Sequence, residues 1–388
     1  EKDRGSASVF LDIQDWDIYP VAHEKTIHFI NRCLISKSAG DAVKSHMPDA
    51  FGSEMRSNDN QEKMPEVRLP LLGGVKLRSM FKDIQCQFRY GSIEAESFPV
   101  GNKVRTLSKR AIEWLSAQER EGQTWGRAGD GDLLFAYPAQ IPETSPELAS
   151  LLGTKQDQSA KFVKYAKDVI AHLKGINPDL KQVELRVFAL RKMDKARTKV
   201  VFHRNYTADR LKRASENWQL GCKNIPIIRI PAWGKTKGET SVIEPDILFP
   251  LQIASLLNRA WKQNGASECA VKTFSPTDGI NLLLEEKSDR FVSRMLRVAI
   301  QNGFGLFSSL GNIMHRGERL SSKEVGDHRH TMISILGLLL YKSGFYKEIY
   351  MNNAAFIVGN ILKISDDLHA LYCKEVRKGS LPPQLLGN

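Results

Sequence analysis

The stretch VELRVFALRKMDKARTKVVFHRNYTADRLKR, residues 183–213, decides the fold of this chain. Two runs in it, residues 183–188 and 196–202, alternate apolar residues with polar or charged ones. A short polar turn around Asp194 separates the two runs. Because alternation with a period of two is typical of strands that bury one face, the stretch predicts a β-hairpin.

A helix is expected directly after the hairpin. Thr207 stands where an N-cap residue would be. Leu211, Ala214 and Trp218 then recur at the three- and four-residue spacing of a helix. The sequence therefore predicts a mixed α+β region built on an antiparallel sheet.

The hairpin is also strongly basic. Residues 186–213 hold ten Lys or Arg against two acids, a local excess of +8 in a 388-residue chain whose net charge is +12. Clustered cations on a strand pair are typical of a surface that lies along a phosphate backbone. A solvated sheet face rich in Lys and Arg is the alternative. The DNA-binding residues expected here are Arg186, Arg191, Lys192, Lys195, Arg197, Lys199 and Arg204.

A predicted helix at residues 101–122 adds a second basic surface. Apolar residues recur along one of its sides, and a basic ridge that includes Lys103 and Arg105 runs along another. We expect both cations to contact DNA.

A loop at residues 230–238 offers a different kind of contact. Its proline and glycines suit neither helix nor strand, and Trp233 stands there beside Lys235 and Lys237. The indole could stack on an unpaired base while the two lysines pair with phosphates. Alternatively, the ring packs over the joint between two parts of the chain.

The organisation of the chain follows from changes in pattern and composition. Residues 1–242 are predicted to form the mixed α+β, DNA-contacting region, with a mobile loop at 37–70 where the composition turns polar. From residue 243 onward apolar residues recur at helical spacing, which predicts an all-α bundle at residues 243–388. The longest helix of this bundle, residues 352–372, is expected to point its apolar residues inward: Phe356, Ile361, Ile364, Leu368 and Leu371.

Composition excludes several classes of protein. The longest strongly apolar run, residues 333–340, is far shorter than the ~20 residues of a membrane-spanning helix. Five cysteines are scattered without a CxxC pair, so neither a disulfide framework nor a zinc site is predicted. We therefore expect a soluble, cytoplasmic protein with no membrane partner, no metal and no cofactor.

Several short segments, taken in order, resemble the large subunit of the subtype I-C CRISPR Cascade complex. The first are FRYG at residues 88–91, SFPV at 97–100 and DLLFAY at 132–137, which are similar to a Tyr-Gly loop, a Pro-Val turn and a strand of that family. The basic hairpin lies where the family has a strand pair containing Arg. Phe249-Pro250 with the following helix, and AAFIVGNIL at 354–362, resemble later segments. The amino-terminal portion and the tail at 377–388 have no clear counterpart in the family.

The resemblance implies a non-catalytic, DNA-binding large subunit of an RNA-guided complex of antiviral defence. Such a subunit contacts the duplex that flanks the target and aids strand separation in the R-loop, while guide RNA reads the sequence by base pairing. The implied partners are target DNA, guide RNA, the other Cascade subunits and a helicase-nuclease. The family also allows the helical bundle to be made separately from an internal start site.

Two other functions remain open. His315, His328 and His330, with Asp327, could serve a metal-dependent nuclease or another nucleic-acid enzyme, although two histidines two residues apart on a helix point about 200° apart. An exposed start of a helix explains the same residues without a metal. An RNA-binding protein unrelated to defence is the third possibility.

Overall fold

A computed structural model gives the fold of the chain. It describes residues 24–29, 32, 46–56, 64–78, 98–129, 131–142, 145–153, 162–194, 197–231, 240–269, 273–284, 289–316 and 324–379. Helices and antiparallel sheets occur together, which confirms the α+β class. The chain forms two compact units: Glu1–Arg68 with Gly74–Trp114, and Leu69–Gly73 with Leu115–Asn388.

Short strands occur where a mobile loop was expected. Strands β1 (His46–Pro48) and β2 (Glu54–Arg56) pair antiparallel, and β3 (Glu66–Leu69) and β4 (Gly73–Lys76) form a second two-stranded sheet. In β3 the exposed Glu66 and Arg68 alternate with buried side chains. Short amphipathic strands thus lie within the stretch where a mobile loop was expected, although its average composition is polar.

Helix α1 (Asn102–Leu115) also belongs largely to the first unit. The Asp49 carboxylate accepts hydrogen bonds from the backbone N–H groups of Phe51 and Ser53 at 2.9 Å and of Gly101 at 3.2 Å. One side chain thus fixes the β1–β2 turn to the residue before the helix.

The second unit is built on a four-stranded sheet. Its strands are β5 (Trp125–Ala128), β6 (Asp132–Pro138), β7 (Glu184–Lys192) and β8 (Thr198–Thr207), paired antiparallel in that order. Strands β7 and β8 confirm the predicted hairpin. Thr207 caps helix α4 (Ala208–Cys222), as predicted, by accepting a hydrogen bond from the backbone N–H of Arg210.

Helices cover one face of this sheet and extend to the end of the described chain. Before α4 come α2 (Leu148–Leu151) and α3 (Phe162–Ile176). After it come β9 (Ile228–Pro231) paired with β10 (Thr240–Ile243), and β11 (Arg259–Trp261) paired with β12 (Ser267–Cys269). The remaining helices are α5 (Pro250–Leu257), α6 (Pro276–Leu284), α7 (Asp289–His315), α8 (Glu324–Lys342), α9 (Lys347–Tyr350) and α10 (Ala354–Glu375).

A single core joins the sheet to the helices that follow it. Trp218 of α4 is fully buried and donates from Nε1 to the carbonyl of Leu248 at 2.8 Å. The rings of Phe162 and Phe249 meet edge to face at 5.7 Å. The boundary predicted between residues 242 and 243 thus falls inside one packed unit, because the apolar faces on its two sides bury each other.

The carboxy-terminal part departs from the predicted bundle in two places. Helix α5 ends at Leu257, and the β11–β12 hairpin follows, so the all-helical region begins only with α6. Helix α10 leaves most of its apolar residues exposed, and of the five expected inside only Phe356 is half-buried. Among the residues that the structure describes, no helix combines the length and apolar character needed to cross a membrane.

Candidate nucleic-acid interface

The turn end of the β7–β8 hairpin gathers four of the predicted cations. Arg191 and Lys192 end β7, Arg197 precedes β8, and Lys199 is the second residue of β8. Arg191 lies opposite Lys199 in the register of the two strands. Lys195 lies outside the described residues. The antiparallel pairing thus concentrates at one end of the sheet the charges that the sequence spreads over nine positions.

Several of these cations already have acidic partners. The guanidinium of Arg191 contacts both oxygens of Asp132 at 2.7 Å, and hydrogen bonding to Asp132 raises the pKa of Arg191. Arg197 contacts Asp194 at 2.6 Å, and Arg186 lies 3.7 Å from Glu184. The local excess counted from the sequence is therefore reduced, because Asp132 and Glu184 lie outside the counted stretch.

The other hairpin cations are exposed. Lys192 donates from Nζ to the carbonyl of Leu72 at 2.6 Å. Lys199 lies on the edge strand, and no described carboxylate forms an ion pair with it. Arg204 donates to the carbonyl of His203.

Helix α1 contributes one exposed cation and one internal cation. Lys103 is exposed in the first unit. Arg105 is only 4% exposed and donates from Nη1 to the carbonyl of Val100 at 2.9 Å. The expectation that Arg105 displays its charge to DNA is corrected: its guanidinium is enclosed and fixes the chain before α1.

Trp233, Lys235 and Lys237 lie outside the described residues. Only the strands on either side of them, β9 and β10, are described, and these pair antiparallel.

The histidines near the start of α8 make local contacts. The Nε2 of His330 lies 3.1 Å from Nε of Arg329, and its Nδ1 lies 2.7 Å from the carbonyl oxygen of Glu244. The ring of His328 packs on Trp261 with 5.3 Å between centroids. The side chain of His315 is not among those described. Within the described ranges no group of three His, Cys, Asp or Glu side chains could hold a metal.

Sequence reasoning missed a row of arginines on α7. Arg290, Arg294 and Arg297 are exposed at spacings of four and three residues, which places them on one side of the helix. None of the three makes an ion pair with a described residue. Their helical spacing could have indicated a nucleic-acid contact from the sequence. Three cations on a long helix are, however, weaker evidence for such a contact than the cluster in the hairpin.

A cleft of about 940 Å³ is lined by cations of the hairpin and of β11 together with the acids Asp132 and Asp278. It opens beside the hairpin turn, and Arg191, Lys192, Arg259 and Phe274 are among its lining residues. Arg259 donates to Ser267 Oγ across the β11–β12 pair, and the guanidinium of Arg294 lies 5.6 Å from the ring centroid of Phe274. Cations of β7 and β11 thus line one opening, and Arg294 of α7 lies beside one of its lining rings.

The outer face of the sheet, opposite the helix-covered core, was also missed. Trp125, Phe135, Phe188 and His203 occupy one cross-strand row over all four strands. Tyr137, Arg186 and Asn205 form the next row. These rows depend on strand order and register, which no local pattern specifies.

In comparisons with known proteins, no family model matches the chain and no curated protein matches its sequence.

Proposed function

We propose that the chain is a non-catalytic, DNA-binding large subunit of an RNA-guided CRISPR Cascade surveillance complex. In this role it contacts the duplex beside the target, aids strand separation and helps recruit a helicase-nuclease, while guide RNA supplies sequence specificity. The ordered resemblance over roughly residues 85–375 supports the family part of the proposal.

The cation-lined cleft carries the DNA-binding part. Lys192 of β7 and Arg259 of β11 line it, and Arg294 of α7 lies beside its lining residue Phe274; these elements are far apart in sequence. Together with a net charge of +12, this favours a polyanion that runs from the hairpin turn to the arginine row. A metal-dependent nuclease has less support, because the described histidines bond to backbone or pack on an indole.

Salt-dependent binding of duplex DNA tests the DNA-binding part. Changing Lys192, Arg259 and Arg294 together to Ala should weaken binding and lower the slope of log K against log salt by about 0.9 for each phosphate that is no longer neutralised. The matched control changes Lys164, Lys167 and Lys174 to Ala. These are three exposed lysines of α3, so the control removes the same charge. Equal slopes for the two triple variants would contradict the proposal.

Reconstitution tests the Cascade part. The chain is combined with guide RNA and the other Cascade subunits, and R-loop formation on target DNA is followed by permanganate reactivity of the displaced strand. We expect reactivity only when the chain is present. Cleavage of DNA by the isolated chain with magnesium or manganese would instead support the nuclease.

A further inference from the structure

The outer face of β7 and β8 carries rings and polar groups that the core does not explain. Leu185, Val187 and Ala189 point to the opposite face and are buried in the core. Phe188 lies between them in the strand and is partly exposed, although it points away from that core. Burial in the core explains why the core-facing residues of β7 are apolar. It does not explain an aromatic ring on the opposite face of the same strand.

Exposure rises across the ring row toward the edge of the sheet. Trp125 and Phe135 are 3% and 0% exposed, Phe188 is partly exposed, and His203 on the edge strand is exposed. Phe135 and Phe188 stack with 4.7 Å between centroids and 16° between planes. The buried ring of Phe135 thus supports the partly exposed ring of Phe188.

The neighbouring row adds hydrogen-bonding groups. Tyr137 meets Phe188 edge to face at 6.3 Å and hydrogen-bonds to Arg186. Arg186 is half-exposed, and Asn205 beside it on β8 is exposed. Because same-face residues two apart on a strand are separated by ~7 Å, the two rows offer adjacent but distinct positions.

The charge around the ring row is positive. Arg127 of β5 lies on the same face one row to one side, and Arg186 lies one row to the other. Glu184 is the acid of this face in β7, and it lies 3.7 Å from Arg186. Arg127 lies at the buried end of the row, so Arg186 is the guanidinium beside the exposed rings, where it suits a phosphate next to a stacked base.

We infer that the outer face of β7 and β8 with the adjoining Tyr137 of β6, defined by Phe188, His203, Tyr137, Arg186 and Asn205, is a stacking platform for unpaired bases of a single-stranded nucleic acid. The inference rests on the proposed nucleic-acid function and adds a contact distinct from the cation-lined cleft. A duplex hides the flat faces of its bases, so the platform selects strands that have been opened. Arg186 and Asn205 supply a cation and an amide that can bond to phosphate oxygens and base edges.

Fluorescence anisotropy with two labelled strands tests the platform on the full chain. One strand is oligothymidine, and the other is an abasic strand of the same length and charge. The double variant Phe188→Leu, His203→Ala keeps an apolar side chain against Phe135 but removes both rings. We expect affinity for oligothymidine to fall about tenfold or more, since each stacked base contributes ~1–3 kcal/mol. Affinity for the abasic strand should stay within about twofold of wild type, because phosphate contacts are unchanged.

A matched control removes similar groups from the helices. His172→Ala with Leu220→Ala deletes an exposed imidazole and an exposed apolar side chain from α3 and α4, and should bind both strands as wild type does. The inference would be contradicted if the double variant lost the same affinity for both strands. It would also be contradicted if the variant bound oligothymidine as tightly as wild type does. Loss of a co-purifying protein subunit with unchanged strand binding would identify a protein-binding face and also overturn it.

Photo-crosslinking of the wild-type chain gives a second measurement that does not depend on a folded variant. A single strand carrying 5-iodouracil should crosslink to residues of β7 or β8, as mapped by mass spectrometry. Crosslinks confined to other segments would refute the platform. If the wild-type chain binds duplex DNA but the platform tests give the opposite results, only this inference is refuted. If the wild-type chain binds neither duplex nor single strand, the proposed function is refuted as well.

Discussion

Arg191 and Asp132 form a bidentate contact across β6 and β7, with Nε to Oδ1 and Nη2 to Oδ2 both at 2.7 Å. The Asp132 side chain is 5% exposed, whereas that of Arg191 is 42% exposed. The carboxylate is therefore enclosed and depends on the guanidinium for its charge balance. Arg191 is thus first a structural residue, although the sequence counts it with the DNA-binding cations.

Replacing Arg191 with Ala should destabilise the chain by about 2–3 kcal/mol, because it leaves the Asp132 carboxylate buried without its donor. Urea unfolding measures the loss. The double variant Arg191→Ala, Asp132→Ala should recover part of it, since the unpaired charge is then gone. Wild-type stability of Arg191→Ala together with weakened DNA binding would show that Arg191 acts mainly on DNA.

The shared core predicts how fragments of the chain behave. A fragment of residues 243–388 should show no cooperative thermal melt, because Leu248 and Phe249 would lose Trp218 and Phe162 as partners. A fragment of residues 115–388 keeps both sides of this core and should melt cooperatively. Circular dichroism compares the two, and a sharp melt of the shorter fragment would restore the boundary expected at residue 243.

Asn224 should be an unusually sensitive position, because its groups bond to three residues of one short segment, residues 345–350. Its side-chain amide donates to the carbonyl of Phe345 at 2.8 Å, its Oδ1 accepts from the backbone N–H of Lys347 at 2.7 Å, and its carbonyl accepts from Tyr350 at 3.2 Å. Asn224→Ala leaves the first two partners unsatisfied, and we expect a loss of ~2–4 kcal/mol in unfolding free energy.

Asn217→Ala is the control for this position, since Asn217 is exposed on α4. Its unfolding free energy should lie within ~0.5 kcal/mol of wild type. Similar effects of the two substitutions, measured by urea unfolding, would mean that the Asn224 contacts contribute little.

The cysteines predict a selective alkylation pattern. Burial raises the pKa of Cys222 to about 12, so its thiol stays protonated and enclosed near neutral pH. Cys269 is exposed. Since the thiolate is the nucleophile, iodoacetamide at mildly alkaline pH should label Cys269 in the native chain and Cys222 only after unfolding. Mass spectrometry of the peptides identifies the labelled cysteines. Equal labelling of Cys222 and Cys269 in the native chain would indicate that the core around α4 opens readily.

Features that depend on neighbouring residues could be predicted from the sequence. The β7–β8 hairpin follows from alternation on both sides of a polar turn, and the start of α4 follows from Thr207, whose hydroxyl bonds to an N–H three residues away. The α+β class follows from the same local patterns. Such patterns act over a few residues, so they can be recognised without knowledge of distant partners.

Tertiary structure decided which of these elements share a core and which charges meet. Arg191 is balanced by Asp132 because strand order places β6 beside β7, and the ring row from Trp125 to His203 exists only in that register. Trp218 buries itself against Leu248 across the expected boundary. The sequence by itself determined the hairpin, its cap and its basic character, since periodicity and capping are local. Only tertiary structure decided where the core lies and which residues line the cleft. It also decided which residues form the proposed stacking platform, because pairing between distant segments depends on the burial of the whole chain.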